Sequence, residues 1–287
     1  MAAADWPRIV PPPDEDWAGD MGARWLAHLD RFEGMIAPIG DALLLRANLP
    51  TGAVVLDLGC GGGTTTLAAA RAVAPGGRAV GLDLSQDLIA RARERALEAG
   101  ADNIAFVCSD AAQVRLEAEA FDQLISRFGS MFFPEPPTAF AHLHGMLRAG
   151  GQIDLAVWAA PRENPWMAAL VGVVRRYIDL PRPEPRTPGP FAFEDPEYLG
   201  DVLTTAGFSA VETEPWSGDL PFGGPGATTE EAVAFALTGM AFQDRIQALD
   251  ARTIGQLSRD LEDLYRARET PDGVMMPAKA WLVRARA

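Results

Sequence analysis

An acid followed by a run of glycines, in the segment VLDLGCGGGTTTL at positions 55 to 67, has the residue types of a ligand-binding turn. Asp57 precedes Gly59, Gly61 and Gly63, and glycine lets the backbone approach a ligand closely because it has no Cβ atom. The G-x-G-x-x-G pattern of dinucleotide-binding loops would need a glycine where the chain has Thr64, and a P-loop would need a lysine that does not follow. We expect the turn to expose Asp57 at a strand end, where its carboxylate would repel a phosphate and attract an ammonium group.

Two further acids follow apolar segments, Asp83 in GLDLS and Asp110 in VCSDA. An acid at the end of the second strand binds ribose hydroxyls in nucleotide-binding βαβ folds, and Asp110 is placed to meet the edge of a base. Each acid alone could simply cap a helix or lie in a solvated turn. Together with the glycines, the three acids predict one site for an amino-acid end, a ribose and an adenine-like base without a phosphate. S-adenosylmethionine fits that description.

Strands that alternate with helices must position these residues. Five near-continuously apolar segments between positions 53 and 160 are typical of buried parallel strands, and helical segments separate them. The strand segments are AVVLDLG, RAVGLDLS, IAFVCSD, FDQLISRF and GQIDLAVWAA. The alternation predicts an α/β fold, with a mostly parallel sheet, helices on both faces and a ligand at the carboxyl ends of the strands.

The chain is predicted to add lid segments to this core. Trp17, Met21, Trp25, Leu29 and Phe32 recur every three or four residues and form one apolar stripe of a helical segment from 16 to 48. The stripe could pack on the core or roof a binding pocket, and a lid helix does both. We divide the chain into an N-terminal helical lid (1–50), a cofactor-binding core (51–160), a lid insertion (161–195) and a completion of the sheet (196–287) with a helical insertion at about 225–270.

The composition argues against a nucleic-acid partner. The 287 residues carry a formal net charge of −14, whereas a nucleic-acid backbone usually requires a basic surface. Cys60 and Cys108 do not have a metal-ligand spacing, so we expect no metal. The first residues lack a basic region followed by an apolar run, and no apolar stretch reaches the roughly 18 residues of a membrane span. We therefore expect a cytoplasmic protein, and a homodimer stays open.

The segment from 53 to 160 resembles the class I S-adenosylmethionine-dependent methyltransferases. VLDLGCGGG, GLDLS and CSDA look like their first three motifs, and FDQLISR and LRAGGQIDLAVW look like their fourth and fifth strands. SRFGSMFF, NPWM and AGFSAVE look like bacterial small-molecule methyltransferases near the ubiquinone/menaquinone C-methyltransferase group. The resemblance implies a Rossmann-like sheet of seven strands, with helices on both faces and a helical lid, whose last strand, in AKAWLVRARA, is antiparallel.

The resemblance also implies roles for individual residues. Asp57, Gly59 and Gly61 would line the methionine part of the cofactor, and Gly63 would complete the turn. Asp83 would bind the ribose, and Leu84 would lie against the base, while Asp110 and Ala111 would frame the adenine. Arg127 would face both the cofactor and the acceptor. Some relatives carry Asp, Asn or His after the fourth strand. Here the chain has Ser126, Arg127 and Phe128, which leaves the identity of a general base open.

Methyl transfer from a sulfonium depends mainly on an in-line arrangement and on exclusion of water. A base is needed only if the nucleophile must lose a proton. His28 on the N-terminal helix is the main candidate base, with Tyr177 and Tyr198 as alternatives. Arg127 is the second candidate catalytic residue, because it could bind an acceptor carboxylate, stabilise a phenolate or pair with a buried acid.

Side chains near the ends of the fourth and fifth strands predict an apolar or aromatic acceptor, although the same aromatics could belong to the hydrophobic core. The candidate pocket residues are Trp17, Trp25, Phe128, Met131, Phe132, Trp158, Asn164 and Trp166. We therefore predict a small-molecule methyltransferase that converts S-adenosylmethionine to S-adenosylhomocysteine. The alternatives are a protein that binds this cofactor without methylating and a methyltransferase for nucleic acids or proteins.

Overall fold

The computed structural model describes residues 16–116, 120–180 and 184–287. The first part of the predicted N-terminal lid, 1–15, and positions 181–183 of the predicted lid insertion lie outside these ranges. The strands are β1 (Val54–Leu58), β2 (Arg78–Asp83), β3 (Ile104–Cys108), β4 (Phe121–Arg127), β5 (Leu147–Trp158), β6 (Ser209–Pro221), β7 (Glu269–Thr270) and β8 (Gly273–Arg286). The helices are α1 (Asp20–Ala27), α2 (Leu29–Ala47), α3 (Thr64–Val73), α4 (Gln86–Glu98), α5 (Pro136–His144), α6 (Pro165–Val174), α7 (Pro196–Thr205), α8 (Thr229–Thr238), α9 (Gln243–Gln247) and α10 (Ala251–Arg266).

The main sheet has the strand order β3-β2-β1-β4-β5-β8-β6, and the two-residue strand β7 pairs only with β8. Strands β1 to β5 pair in parallel, whereas β8 is antiparallel to both β5 and β6. The order reverses between β1 and β4, and in open α/β sheets such a reversal opens a crevice for a ligand at the carboxyl ends. The predicted α/β fold with an antiparallel last strand is confirmed. Strand β7 was not predicted, because two residues carry no periodicity.

The central strands are buried on both faces, as their apolar sequences predict. Leu56 and Leu124 have no exposed surface, and burial of one such side chain stabilises the fold by about 1.5–3 kcal/mol. One hydrophobic cluster joins all four predicted segments, with Ile36, Leu124, Leu170 and Leu261 among its members. The segments therefore share a core, and their division by function stays a prediction.

The N-terminal segment forms two helices rather than one continuous helix. The break lies at His28, which adopts φ −119° and ψ 22° between α1 and α2. The apolar stripe nevertheless crosses the break, because Trp25 stacks on Phe32 with ring centroids 4.1 Å apart. Trp17 lies edge-on to Trp25 at 5.7 Å. Side-chain periodicity predicted the stripe, but it could not locate the backbone break inside it.

Helix α1 packs against the start of α4, at the carboxyl edge of the sheet. A Cβ atom at Gly22 would lie 2.7 Å from Ser85 Oγ, so the close approach requires glycine. Ser85 caps α4 by accepting a hydrogen bond from the Leu88 N–H. The contact brings the N-terminal helices next to Asp83, the last residue of β2.

Helices α8 to α10 lie between β6 and β7, where the sequence predicts a helical insertion at about 225–270. Thr228 and Glu231 form a capping box that starts α8. Helix α10 buries Leu257, Leu261 and Tyr265 on one face. Within the described ranges, none of the helices has the length and apolar character needed to span a membrane.

Candidate active site

The glycine turn after β1 adopts a conformation that other residues rarely reach. Gly59, Gly61 and Gly63 have φ angles of +66°, +52° and +83°. A Cβ atom at Gly59 would lie 2.5 Å from the Cα of Gly129, which follows β4. At Gly61 the nearest side-chain atoms would be 3.9 Å away. Gly59 therefore serves close backbone packing, while Gly61 keeps a position open beside the turn.

Asp57 is buried rather than exposed by the turn, so that expectation was wrong. The chain folds back after the glycines, and α3 brings the Thr65 and Thr66 hydroxyls to Asp57 Oδ2, each at 2.6 Å. Burial raises the pKa of Asp57 to about 6, although the two hydroxyl bonds oppose that shift. Its second oxygen, Oδ1, is buried and takes no hydrogen bond from the described residues. This orphaned acceptor is suited to a ligand cation or hydrogen-bond donor.

Asp83 ties the glycine turn to the second strand. Its Oδ2 accepts the Gly61 N–H at 2.8 Å and its Oδ1 accepts the Ser85 N–H at 2.9 Å. Burial raises the pKa of Asp83, although these backbone donors oppose the shift. Each carboxylate oxygen has a further lone pair, so the group can also accept ribose hydroxyls. Leu84, next to it, is 44% exposed and offers apolar surface for a base.

Asp110 caps the turn that follows β3. Its Oδ1 accepts the Ala112 N–H at 2.8 Å and its Oδ2 accepts Gln113 Nε2 at 2.9 Å. The neighbouring Ala111 is buried. The residue therefore has the capping role that its position allowed, and the carboxylate stays at the same sheet edge as Asp83.

Arg127 pairs with a buried acid, which is one of the three roles that its sequence position allowed. Its Nη2 contacts Glu33 Oε2 of α2, and the two side chains are 6% and 8% exposed. A Cβ atom at Gly40 would lie 2.9 Å from Arg127 Nη1, so glycine makes room for the guanidinium under α2. Arg127 is therefore held by the N-terminal helices at the end of β4.

Glu33 is the charged site residue that sequence reasoning missed. Its signal was its place on the helix: it follows Leu29 by four residues and precedes Ile36 by three. Those neighbours are buried, so an acid at this position interrupts the inward face of α2. A buried acid on an apolar face needs a partner, and Arg127 is that partner.

The side chain of His28 packs against aromatic rings, whereas Arg127 pairs with Glu33. Its ring lies edge-on to Phe32 at 6.4 Å and to Phe235 of α8 at 5.8 Å. Burial lowers the pKa of His28, partly opposed by a hydrogen bond to the Thr238 backbone. Of the other histidines, His142 contacts the Val114 carbonyl at 2.7 Å, and His144 lies edge-on to Phe208. His142 is therefore engaged by a backbone hydrogen bond and His144 by ring packing.

Aromatic rings lie at the ends of β4 and β5. Phe128, Trp158 and Trp166 are 8%, 6% and 5% exposed and belong to the main hydrophobic cluster, which is the core role that the sequence left open. Phe128 stacks on Trp158 at 4.2 Å, and Trp158 lies 5.3 Å from Trp166. We call these three residues the aromatic wall. Phe128 has a positive φ of +65°, a strained conformation for this side chain that the surroundings must hold. Next to the wall, Ser130 Oγ is buried without a hydrogen bond to the described residues.

The other predicted pocket residues differ in their surroundings. Trp17 lies 5.1 Å from Phe132, so the N-terminal stripe meets the segment after β4. Met131 is 2% exposed. Asn164 has its amide engaged, since Nδ2 donates to the Ala159 carbonyl at 2.8 Å and Oδ1 accepts the Lys279 N–H at 2.9 Å. Its Oδ1 also accepts a hydrogen bond from Trp166 Nε1 at 3.2 Å, so Asn164 supports the wall through Trp166.

Asp57, Asp83 and the glycine turn fit S-adenosylmethionine. Asp57 offers an orphaned acceptor for the ammonium, Gly61 leaves open space, and Asp83 lies beside the half-exposed Leu84. In the described part of the chain, no cluster of three His, Cys, Asp or Glu side chains is placed to hold a metal ion.

Comparison with known proteins points to the same chemistry. The profile of a family described as a methyltransferase domain matches residues 55–151. Nocamycin O-methyltransferase of Saccharothrix syringae is 30% identical over 202 residues, which cover 66% of this chain and 70% of that enzyme. Demethylmenaquinone methyltransferase of Geobacillus stearothermophilus is 28% identical over 130 residues, 44% of this chain and 56% of that enzyme.

The fold is also similar to that of solved structures. The cyclase SpnF superposes with a TM-score of 0.58 and 18% identity, covering 96% of this chain and 97% of the cyclase. At this identity the similarity shows the fold alone. The family itself follows from the matched domain and from the nocamycin enzyme, and it agrees with the predicted resemblance. The chain belongs to the class I S-adenosylmethionine-dependent methyltransferases, and S-adenosylmethionine is its cofactor.

Proposed function

We propose that this methyltransferase acts on a small apolar or aromatic acceptor bound at the aromatic wall. Phe128 of the wall leads into Gly129, which packs against the glycine turn at Gly59, so the wall adjoins the proposed cofactor site. Flat, apolar rings pack well on such aromatic surfaces. This adjacency is the observation that carries the proposal.

The proposed cofactor contacts follow the carboxyl edge of the sheet. Asp57, Gly59, Gly61 and Gly63 line the methionine part, Asp83 binds the ribose, and Leu84, Asp110 and Ala111 surround the base. S-adenosylmethionine supplies a methyl group already activated by its sulfonium. The chain therefore has to align the acceptor and exclude water. We propose that the N-terminal lid (1–50), the lid insertion (161–195) and the helical insertion (about 225–270) do this around the core.

The two candidate catalytic residues have different parts in this proposal. Arg127 is engaged by Glu33, so it acts through position and charge rather than by moving a proton. Burial lowers the pKa of His28, which keeps its ring neutral at pH 7 and able to accept a proton from an acceptor hydroxyl. Trp17, Trp25, Met131 and Phe132 extend the acceptor surface, and Asn164 supports it.

The names of the relatives support a small acceptor, since one is a nocamycin O-methyltransferase and another a demethylmenaquinone methyltransferase. The net charge of −14 supports the absence of a nucleic-acid partner. We extend the proposal to a bacterial, cytoplasmic enzyme, and sedimentation would distinguish a monomer from a homodimer.

Methyl transfer to a panel of hydroxylated aromatic compounds tests this function. The expected result, by mass spectrometry, is one added CH₂ per acceptor and an equal amount of S-adenosylhomocysteine. Trp158→Phe, which keeps a ring in the wall, should raise KM for the acceptor, whereas Trp216→Phe on β6 serves as the control. Transfer to oligonucleotides or proteins and to none of the small acceptors would overturn the proposal.

A second candidate, left open by the sequence, is a protein that binds the cofactor without methylating; the cyclase SpnF has this fold and is named for a different reaction. The same assay separates the two functions. A rearranged small molecule together with intact S-adenosylmethionine would support the second candidate.

A further inference from the structure

We propose that Glu33, on the N-terminal helix α2, binds the ammonium group of the cofactor's amino-acid end, with Arg127 holding its carboxylate in place beside the glycine turn. The inference rests on the cofactor site proposed above and adds to it a residue from outside the 55–151 region that the family profile matches. Glu33 thereby makes the N-terminal helices part of the cofactor site.

The contacts of Glu33 leave one oxygen turned toward the turn. Its Oε2 is paired with Arg127. A Cβ atom built on Gly61 would lie 3.9 Å from Glu33 Oε1 and 3.9 Å from Trp25 Nε1 of α1. A carboxylate oxygen and an indole from the N-terminal helices therefore face the open position beside Gly61.

The charges around this position favour a cation. Glu33 and Asp57 carry two negative charges when ionised, and Arg127 carries one positive charge, which leaves one negative charge uncompensated. All three side chains are buried, and a net buried charge is costly unless a partner neutralises it. Asp57 Oδ1 is buried without a hydrogen bond from the described residues. An ammonium group between Glu33 Oε1 and Asp57 Oδ1 would supply both the charge and the donors.

Arg127 acts here as a positioning residue. Its guanidinium lies where a Cβ atom of Gly40 would come within 2.9 Å, so the packing of α2 fixes its place. By binding Oε2 it directs Oε1 toward Gly61. A pair that served stability alone would not require the second oxygen to face the open position.

Calorimetric titration of the full-length protein with two ligands tests the inference. The ligands are S-adenosylhomocysteine and its deamino analogue, in which hydrogen replaces the α-ammonium. Glu33→Gln should weaken binding of S-adenosylhomocysteine by about 10- to 100-fold, the range for a hydrogen bond to a charged group. Binding of the deamino analogue should change less than about twofold. Asp41→Asn, an exposed acid-to-amide change on the same helix, is the control and should change neither.

The outcomes separate this inference from the cofactor site itself. Equal weakening of both ligands by Glu33→Gln would mean a structural role, and unchanged binding of both would place Glu33 outside the site. Either result overturns the inference. A wild-type protein that binds neither ligand would overturn the proposed cofactor site instead. If Glu33→Gln does not fold, Glu33→Asp keeps the charge but shortens the side chain, and it should weaken only the ligand with the ammonium.

Discussion

The two carboxylate oxygens of Asp57 have different roles, one in the fold and one in the proposed binding site. Its Oδ2 holds the Thr65 and Thr66 hydroxyls at the start of α3, which fixes the glycine turn between strand and helix. Its Oδ1 is the orphaned buried acceptor that the proposed site uses. The neighbouring glycines divide the remaining tasks, since Gly59 permits close packing and Gly61 leaves space.

Alanine substitutions at these two glycines should separate stability from binding. Both have positive φ, so either alanine is strained by about 1–2 kcal/mol. Gly59→Ala also places its Cβ against Gly129, and we expect its Tm to fall by roughly 4–8 °C. Gly61→Ala should lower Tm by roughly half as much and weaken S-adenosylhomocysteine binding at least about tenfold, because its methyl group enters the site. A larger loss of Tm in Gly61→Ala would contradict the assigned roles.

Cofactor binding should tighten as pH rises through 6. The pKa of Asp57 is raised to about 6 by burial, so the carboxyl is neutral below this pH and ionised above it. Only the ionised form attracts an ammonium group. At one pH unit below the pKa, the affinity for S-adenosylhomocysteine should therefore be lower by up to about tenfold. The check is the Kd of S-adenosylhomocysteine at pH 5 and pH 7. Asp57→Asn should flatten the dependence, and an unchanged step in that variant would assign the titration to another group.

Residue types and their order along the chain were enough to predict the acids, the glycines and their meeting at one sheet edge. The burial of Asp57 was not predictable, because its partners lie eight and nine residues on and reach it only when α3 folds back. Glu33 and Arg127 are 94 positions apart. No local pattern links two such positions, although an acid on the apolar face of a helix could have prompted a search for a cation.

The N-terminal helices are fastened to the molecule on two sides. Arg95 of α4 pairs with Asp30 and donates to the Gly62 carbonyl at 3.3 Å, which ties α2 to the glycine turn. On the other side, Arg31 bonds the Gly223 carbonyl at 2.9 Å and Glu231 of α8 at 3.2 Å. The sequence predicted a stripe that packs inward, but the fastenings depend on which helices become neighbours.

Loss of the Arg95 fastening should speed cofactor release. Asp30 is largely exposed, and such an ion pair contributes at most about 1 kcal/mol, so the Tm of Arg95→Gln should change little. We expect its dissociation rate for S-adenosylhomocysteine, measured by stopped-flow competition, to rise several-fold. Arg91→Gln on the same helix removes exposed pairs with Glu94 and Glu98 and serves as the control. Equal rates in both variants would mean that the N-terminal helices do not retain the cofactor.

At the scale of the whole molecule, one hydrophobic cluster and one sheet fix the positions of the glycine turn, the aromatic wall and the N-terminal helices relative to one another. Alternation of strands and helices predicted the parallel half of the sheet, since each element carries its own periodicity. The second half was harder to predict, because β6 continues to Pro221 with mostly exposed residues and lacks the buried pattern. Sequence similarity identifies the family. The identity of the acceptor is set by side chains that meet only in the folded protein.

Calorimetric titration of the wild type and of Asp83→Ala with S-adenosylhomocysteine tests the central claim most directly. Asp83 accepts two backbone N–H groups and is the proposed ribose ligand. We predict one site with a Kd on the order of 1 µM in the wild type and binding at least about 100-fold weaker in the variant. Asp102→Asn, an exposed acid-to-amide change beyond α4, should leave the Kd unchanged. Absence of binding heat in the wild type, or equal affinity in Asp83→Ala, would contradict the account.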